Sequence, residues 1–473
     1  MSGLFSTLSS TAQALDAQSI GIAVTSKNIS NINNPNYTRE YVVFGSRGEV
    51  LTAQGEESLG LQALSVQQYS DSLLNQQVMT QTSLTSSYSA QQDLLEQAQA
   101  GLGQTLTDAA TSASGTSTAT GDTGLASAID NFMNAFQALA ANPSDSGTQE
   151  ALIGQASTLT QTFQSVDANL AQTQANANSQ VASDVQTANS LLTNIASINT
   201  QIAAAEVTNP GSAVDLRDSR EADLEQLAGI IPVTVTEQSN GEDTVTTPDS
   251  GGNPVTLVQQ GKVQGSIAYS GGVLTGGASA TTLGPTGGSI QGAIAAATGP
   301  IQTLRNDLDS LAGQIVTSVN SAYNPSGTGA NFFDPSGTTS GSIALASGLS
   351  ATTLQAGTGA SGDNSIALSV AALANQSFST ASGDSIDGTF STFYANSVGT
   401  FGQSVSNATS NLDDQNNVQT LLENQRSSIT GVNMDEEMSN LIQFQRAYEA
   451  SSETFNVLNS LLGTVIQQLG AQG

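Results

Sequence analysis

Three triplets, Asp122-Thr123-Gly124, Asp145-Ser146-Gly147 and Asp249-Ser250-Gly251, are the residues whose types and spacing come nearest to chemistry. Each spells D-[ST]-G, and two such carboxylates sharing one proton would make an aspartic-type peptidase dyad. Those enzymes set the triplet after an apolar strand. Here the preceding residues are Ala119-Thr120-Gly121, Asn142-Pro143-Ser144 and Thr247-Pro248, which read as turns, and turn chemistry accounts for all three triplets. The chain has no histidine and no cysteine, so it lacks the commonest general base and metal ligand, any thiolate and any disulfide. Carboxylates alone remain for acid–base work. No catalytic residue, cofactor site or metal site is therefore expected, and the peptidase reading stays a distant alternative.

Charge narrows the partners. Nine Lys and Arg stand against 39 Asp and Glu, and a net charge of -30 repels phosphate backbones and anionic membrane surfaces. Neither nucleic acid nor membrane is an expected partner. No apolar run approaches the ~20 residues of a membrane span. Met1 to Ser10 has neither a basic n-region nor an apolar core, so export, if it occurs, uses a route without a Sec-type signal peptide.

The elements that stand out are the two ends. Leu8, Leu15, Ile22 and Ile29 recur every seven residues at the start, with Leu4 heading a second seam continued by Thr11, Gln18 and Thr25. At the finish the seam is Met434, Leu441, Tyr448, Phe455, Leu462 and Leu469, with Phe444, Leu458 and Val465 as second positions and Glu437 and Ser451 as imperfections. A sustained period of seven keeps one apolar stripe toward a partner helix, in a bundle core or between subunits. The first seam is half polar, so that helix should be marginal alone and gain order by packing.

Between the ends the periodicity predicts an elongated α+β chain of several domains. The first helix, Leu4 to about Asn31, stops at Asn33-Asn34-Pro35-Asn36, with Asn36 in a left-handed turn position, and Tyr41 to Phe44 is extended. Helix is expected from Gln62 to about Leu106, from Leu125 to Ala141, and from near Thr148 to the stop at Asn209-Pro210-Gly211. That last run would be a rod on the order of 80 to 90 Å long. Asp215 to Ala228 reads as a surface helix with weak ion pairs. Period two in Val233 to Thr236 and Val245 to Thr247 around Asn240-Gly241 gives a hairpin, Val255 to Val258 and Val263 to Ala268 give further strands, and helix resumes over Ile290 to Tyr323. Residues from Asn324 to about Ser385, rich in Gly, Ser and Thr, suit a second small β unit or a loose loop. Two helices, Phe390 to Ile429 and Met434 to Leu469, close the chain. Asn433 with Glu436 has capping-box spacing.

These residues resemble the axial proteins of the bacterial flagellum, most of all the hook-associated members. Asn28-Ile29-Ser30-Asn31 through Pro35, Tyr37, Thr38 and Arg39 is similar to the segment that closes the first helix in that family. Gly431-Val432-Asn433-Met434-Asp435-Glu436-Glu437, then Asn440-Leu441 and Gln445-Arg446-Ala447-Tyr448, resembles the C-terminal signature of a hook-associated member and argues against a hook, rod or flagellin-type subunit. Asp215-Leu216-Arg217-Asp218-Ser219-Arg220 and Asn331-Phe332-Phe333 resemble its middle landmarks. Asn36 stands where the family usually has glycine and Met434 where it has leucine.

The resemblance implies a non-enzymatic extracellular subunit that forms a homo-oligomeric ring at the hook–filament junction, between hook protein and the next junction protein. It implies passage unfolded through an export channel and a cytoplasmic export chaperone on the final helix. It implies residues 1–40 and 434–473 as inner-core helices, 41–229 with parts of 286–325 and 386–433 as an outer helical layer, 230–285 as a β-rich unit, 286–325 and 390–433 as helices, and 326–389 as an outer region.

Overall fold

The computed structural model describes residues 2–46, 48–52, 55–58, 60–103, 124–359 and 362–470. Helix α1 (Ser2–Ser30) is followed by strands β1 (Glu40–Ser46), β2 (Glu49–Thr52), β3 (Gly55–Ser58) and β4 (Leu61–Gln68). Then come helices α2 (Ser72–Gly101), α3 (Leu125–Ala141), α4 (Ser146–Ala205) and α5 (Val214–Ile230). Strands β5 (Thr234–Glu237), β6 (Asp243–Pro248), β7 (Pro254–Gln259), β8 (Lys262–Val263), β9 (Ala268–Ser270), β10 (Val273–Gly276) and β11 (Thr281–Thr282) precede helices α6 (Gly288–Thr298), α7 (Pro300–Tyr323), α8 (Ser365–Ala372), α9 (Phe390–Thr430) and α10 (Met434–Gly470). Every strand pairing is antiparallel, in orders β1-β4, β2-β3, β5-β6-β7-β8 and β11-β10-β9, so the fold class is α+β.

The chain forms two compact units. One comprises Met1–Thr85, Val185–Gly288 and Gln415–Gly473, the other Ser86–Asp184 and Ser289–Asp414, and helices α2, α4 and α9 contribute residues to both. In the first unit α1 packs on α10 and against the β1-β4 ribbon. In the second, the core is a ring cluster in which Phe332 lies 5.7 Å from Phe132, 5.2 Å from Phe136, 5.4 Å from Tyr323 and 5.0 Å from Phe333. Aromatic rings at such separations gain edge-to-face attraction beyond the area they bury.

The strongly periodic segments fold as their spacing demands. Helix α3 has the expected bounds and buries Ile129, Phe132, Met133, Phe136 and Leu139. Helix α4 buries Leu152, Leu159, Phe163, Leu170, Leu192, Ile195 and Ile202 along its 60 residues. Its start is capped by Asp145, whose Oδ2 accepts from the backbone N–H of Thr148 at 3.0 Å.

Four expectations need correction. Helix does not begin at Gln62: Leu61–Gln68 pairs with β1 across a bulge at Val43/Phe44, and α2 starts only after Asp71, whose Oδ1 caps it by accepting from Leu73 at 3.0 Å and Leu74 at 3.1 Å. The helix expected over Ile290 to Tyr323 is two, parted at Gly299-Pro300, because Pro300 has no N–H to continue the ladder and suits the first helical turn instead. The described residues from Asn324 to about Ser385 and the few that follow are neither a second β unit nor a loose loop. They hold α8, two isolated bridges (Phe333 to Leu345, Phe378 to Gly388) and the buried anchors Phe332, Phe333, Ile343, Ile366 and Ile386. Asn36 is not left-handed: among described non-glycine residues only Gln260 and Ala280 have positive φ. Asn34 Oδ1 accepts from the Asn36 N–H at 3.2 Å, which closes the turn in ordinary backbone geometry and removes the need for glycine.

Candidate functional site

The two terminal signatures, some 400 residues apart in sequence, meet in one polar clasp. Asn28, on the last turn of α1, is 1% exposed and uses its whole amide. Its Nδ2 donates to the Glu40 carbonyl at 2.9 Å and to Glu437 Oε2 at 3.0 Å, while its Oδ1 accepts from the Tyr37 hydroxyl at 2.7 Å and the Glu40 N–H at 3.0 Å. A primary amide has two donors and two acceptor sites, so none is left over. Arg39 completes the clasp. Its Nε donates to Glu437 Oε1 at 2.7 Å, and its two terminal nitrogens reach both oxygens of Glu436 at 3.0 and 2.7 Å. Such fork geometry makes charge-assisted bonds both strong and orienting. The Arg39 guanidinium also sits 5.2 Å from the Tyr69 ring centroid, and the Arg39 backbone N–H donates to the Thr430 carbonyl at 2.8 Å, tying in the end of α9.

In the sequence Glu437 reads as an imperfection of the final seam. The structure corrects this: at 2% exposed it is the buried acid on which Asn28 and Arg39 converge. Asn433 caps α10 as expected, its Oδ1 accepting from Asp435 at 3.0 Å and Glu436 at 3.4 Å. The Glu436 carboxylate, however, is engaged by Arg39, an ion pair that no local spacing rule could reveal.

Helix α5 flanks the clasp. Lys27 Nζ bridges Glu40 at 2.6 Å and Asp215 at 2.7 Å, and the Thr38 N–H donates to Asp218 Oδ2 at 3.0 Å. Of the signature residues, Asn28, Tyr37, Thr38 and Arg39 thus form the site with Glu436 and Glu437. Asn31 bonds only within its own helix end, and Pro35 lies exposed in the turn. The reading of α5 as a surface helix with weak ion pairs also fails. Arg220 is 5% exposed and pairs with buried Asp243 at 2.8 Å, and Arg217 pairs with buried Glu206 at 2.8 Å.

The heptad residues themselves are only partly covered. On α1 the buried positions are Thr11, Ala17, Gly21, Val24, Thr25 and Asn28, whereas Leu4, Leu8, Leu15, Ile22 and Ile29 are half-buried. Gly21 lets the two helices close up, because a Cβ there would lie 3.0 Å from the Phe444 ring. On α10, Leu441, Phe444, Phe455, Leu458, Leu462 and Val465 are half-buried, while Met434 and Tyr448 are exposed. The Leu469 side chain lies outside the described residues, as does Asp122. The other two triplet aspartates, Asp145 exposed and Asp249 half-buried, are engaged locally: Thr148 hydrogen bonds hold Asp145 below the usual carboxylate range, and Asn253 does the same for Asp249. Asp145 serves as a helix cap and Asp249 as a turn acceptor.

Burial dominates the titration of the clasp. It raises Glu40, with Asp215 and Asp218 adding and Lys27 opposing. It raises Tyr37 strongly, reinforced by the same carboxylates and Glu437. Burial works against charge on Lys27, but hydrogen bonds to Asp215 and Glu40 hold its pKa above the ordinary value. A cavity of about 40 Å³ is lined by Tyr37, Asp218, Glu221 and Arg426, and Asp218 Oδ1 and Glu221 Oε1 are buried without a hydrogen-bond partner. Burial, then the neighbouring Glu225 and Asp243, pushes Glu221 up to about 7. A carboxyl that binds its proton more tightly folded than unfolded adds stability as pH falls, fully present below about 4.5 and lost as pH rises through about 7. Glu221→Gln is therefore expected to stabilise the chain at pH 8 by about 2 to 3 kcal/mol and to flatten the rise in stability between pH 7.5 and 5. Urea unfolding of both proteins across that range measures it; equal pH slopes would contradict it.

Among the described residues no helix is long and apolar enough to cross a membrane, and no group of three or more Asp and Glu could hold a metal ion. Comparison with known proteins follows the same geography. The model for the "Flagellar hook-associated protein FlgK helical domain" matches residues 115–333, and that for the "Flagellar basal body rod FlgEFG protein C-terminal" matches 423–468, which include Glu436 and Glu437. Flagellar hook-associated protein 1 of Bacillus subtilis is 25% identical over an alignment covering 100% of both chains. That of Salmonella typhimurium is 26% identical over 52% of this chain and 41% of its own length. A solved structure, the flagellar hook junction protein FlgK from Burkholderia pseudomallei, is 25% identical with a TM-score of 0.44, covering 55% of this chain and 46% of that one. The chain is thus similar to flagellar hook-associated protein 1 along its whole length, and the two flagellar family models match its middle and its C-terminal end.

Proposed function

We propose that this chain is a structural, non-enzymatic subunit of the extracellular bacterial flagellum that forms the hook–filament junction, capping the hook as a ring of copies and seating the filament. The observation that carries the reading is the pairing of α1 with α10 by the buried clasp while the heptad residues of both helices stay half-open. Within one chain, Leu8, Leu15, Ile22, Ile29, Leu441, Phe455, Leu458 and Leu462 retain apolar surface that a further helix would cover. Neighbouring copies supply such helices. Residues 1–40 and 434–473 then build the inner core, and the remaining domains lie outside it. Hook protein and the next junction protein are the axial neighbours.

Export fits a chain that crosses a narrow channel unfolded, since without cysteine no disulfide can lock it. A cytoplasmic chaperone would shield α10, whose Met438, Ile442, Val457, Leu461 and Ile466 are exposed even when the helix is paired.

Leu441→Arg or Leu458→Arg, each placing a charge on the half-open seam, is expected to block incorporation while hooks still form and filament subunits spill into the medium, as in a strain lacking the gene. Immunoblots of purified flagella and of culture supernatant read both. Normal filaments on either variant would remove the seam from the assembly, and missing hooks in the deletion strain would place the subunit earlier, as a hook or rod component.

A further inference from the structure

Of the eight described lysines and arginines, six are held in ion pairs and two, Lys262 and Arg446, are not. In a chain of net charge -30 an unpaired cation is unusual, and Arg446 is the only Lys or Arg on α10. It is exposed, one helical turn beyond exposed Ile442 and two beyond exposed Met438, on the side of α10 away from the half-buried Leu441 and Phe444. Helix α1 shows the converse. Asp16 is its only acid, is exposed and takes no cation.

The levels of the two charges agree. Asn28 meets Glu437 and Gly21 meets Phe444, so α1 and α10 run antiparallel in a fixed register. Extending that register sets Arg446 level with Ser19 and Ile442 level with Ala23, both exposed on α1. Asp16 is then three residues from the level of Arg446, about 4.5 Å along the axis, within reach of an arginine side chain. No ion pair joins them inside the chain, since each lies on an outward face.

We propose that Arg446 of one copy pairs with Asp16 of a second copy, with Ile442 and Met438 packed beside them, and that this contact sets the register between neighbouring terminal helices. The inference rests on the ring reading above and adds the residues that choose the neighbour's position. Charge pairs at an interface suppress wrong alignments more than they add affinity, which is what a ring of identical copies requires. Glu449, three residues on, is the competing acid on Arg446's own helix.

Charge exchange tests it in the full chain in cells. Asp16→Arg and Arg446→Asp are each expected to cut the amount of subunit in purified flagella at least about fivefold, and the two together in one chain to restore at least half. Because the chain has no cysteine, co-expressing an Asp16→Cys chain with an Arg446→Cys chain is expected to give a disulfide-linked two-chain band on mild oxidation of flagella. Normal incorporation of both single variants, a double variant no better than the worse single, or no mixed band would overturn the pairing; the first is the result expected if Glu449 satisfies Arg446. The seam variants separate this from the function itself. If Leu441→Arg blocks incorporation while charge exchange does nothing, only the pairing falls.

Discussion

Glu437→Ala is expected to cost the first unit about 3 to 5 kcal/mol, because it removes the acid of a buried pair and leaves its partners unsatisfied. Glu437 is 2% exposed, the Arg39 side chain 14% and Asn28 1%, so water cannot readily replace the lost carboxylate. Asn28 would keep Tyr37 and Glu40 but lose one amide donor bond, and Arg39 would keep only the half-exposed Glu436. The loss is directional, since it unties α1 from α10 while leaving the ring cluster around Phe332 untouched. Hydrogen exchange should show protection falling in residues 2–30 and 434–465 and unchanged in residues 125–141. Glu437→Gln keeps an acceptor for Asn28 and gives up the charge, so an intermediate loss is expected. Equal protection in all three proteins would mean that apolar packing alone holds the terminal helices.

The parts of this fold that can be read from sequence are those whose order is local. In α3, α4 and α10 the apolar residues recur at helical spacing over many turns, and Asp145 and Asn433 mark the starts of α4 and α10 by rules of one to three residues. The clasp is different. The Asn28–Glu437 bond spans 409 positions and Arg39–Glu436 spans 397, and nothing near Glu437 distinguishes it from the exposed acids beside it. Its place in an apolar seam was the available signal: a charge at a seam position calls for a buried partner. Arg220, inside an otherwise polar helix, was missed in the same way. Residues 62–68 read as helix in the sequence because apolar residues among glutamines satisfy either period, and only pairing with β1 decides between them. The Gly-, Ser- and Thr-rich stretch after Asn324 has weak periodicity because isolated large residues, Phe332, Ile343 and Ile386 among them, pin turns rather than form a stripe. Motif resemblance and the paired seams mark residues at both ends of the chain, but they do not disclose which polar side chains meet there.

Asp243→Ala is expected to be the other large loss, about 3 to 5 kcal/mol in the same unit, through a pair with a different purpose. Arg220 reaches from α5 to Asp243 at 2.8 Å, Asn199 Oδ1 at 2.9 Å and the Gly241 carbonyl at 2.7 Å, while Asn199 accepts from the Asp243 N–H at 3.1 Å and donates to its carbonyl at 2.8 Å. Together they fix the first residue of β6 against α4 and α5, and so the register of the β5-β6 hairpin. Burial pushes Asp243 up to about 6, with Arg220 opposing, and burial also lowers Arg220. Both shifts report desolvation that the attraction between them does not fully offset. A double variant, Asp243→Leu with Arg220→Met, is accordingly expected to recover most of the lost stability, since an apolar pair of similar volume avoids that cost. Chemical denaturation of wild type, single and double variants gives the coupling directly. If the pair serves registry rather than stability, the double variant should unfold near the wild-type midpoint yet show more than one set of amide resonances for residues 234–248. A double variant as unstable as Asp243→Ala would instead show that the hydrogen bonds to Asn199 and Gly241, not the ion pair, hold the strand.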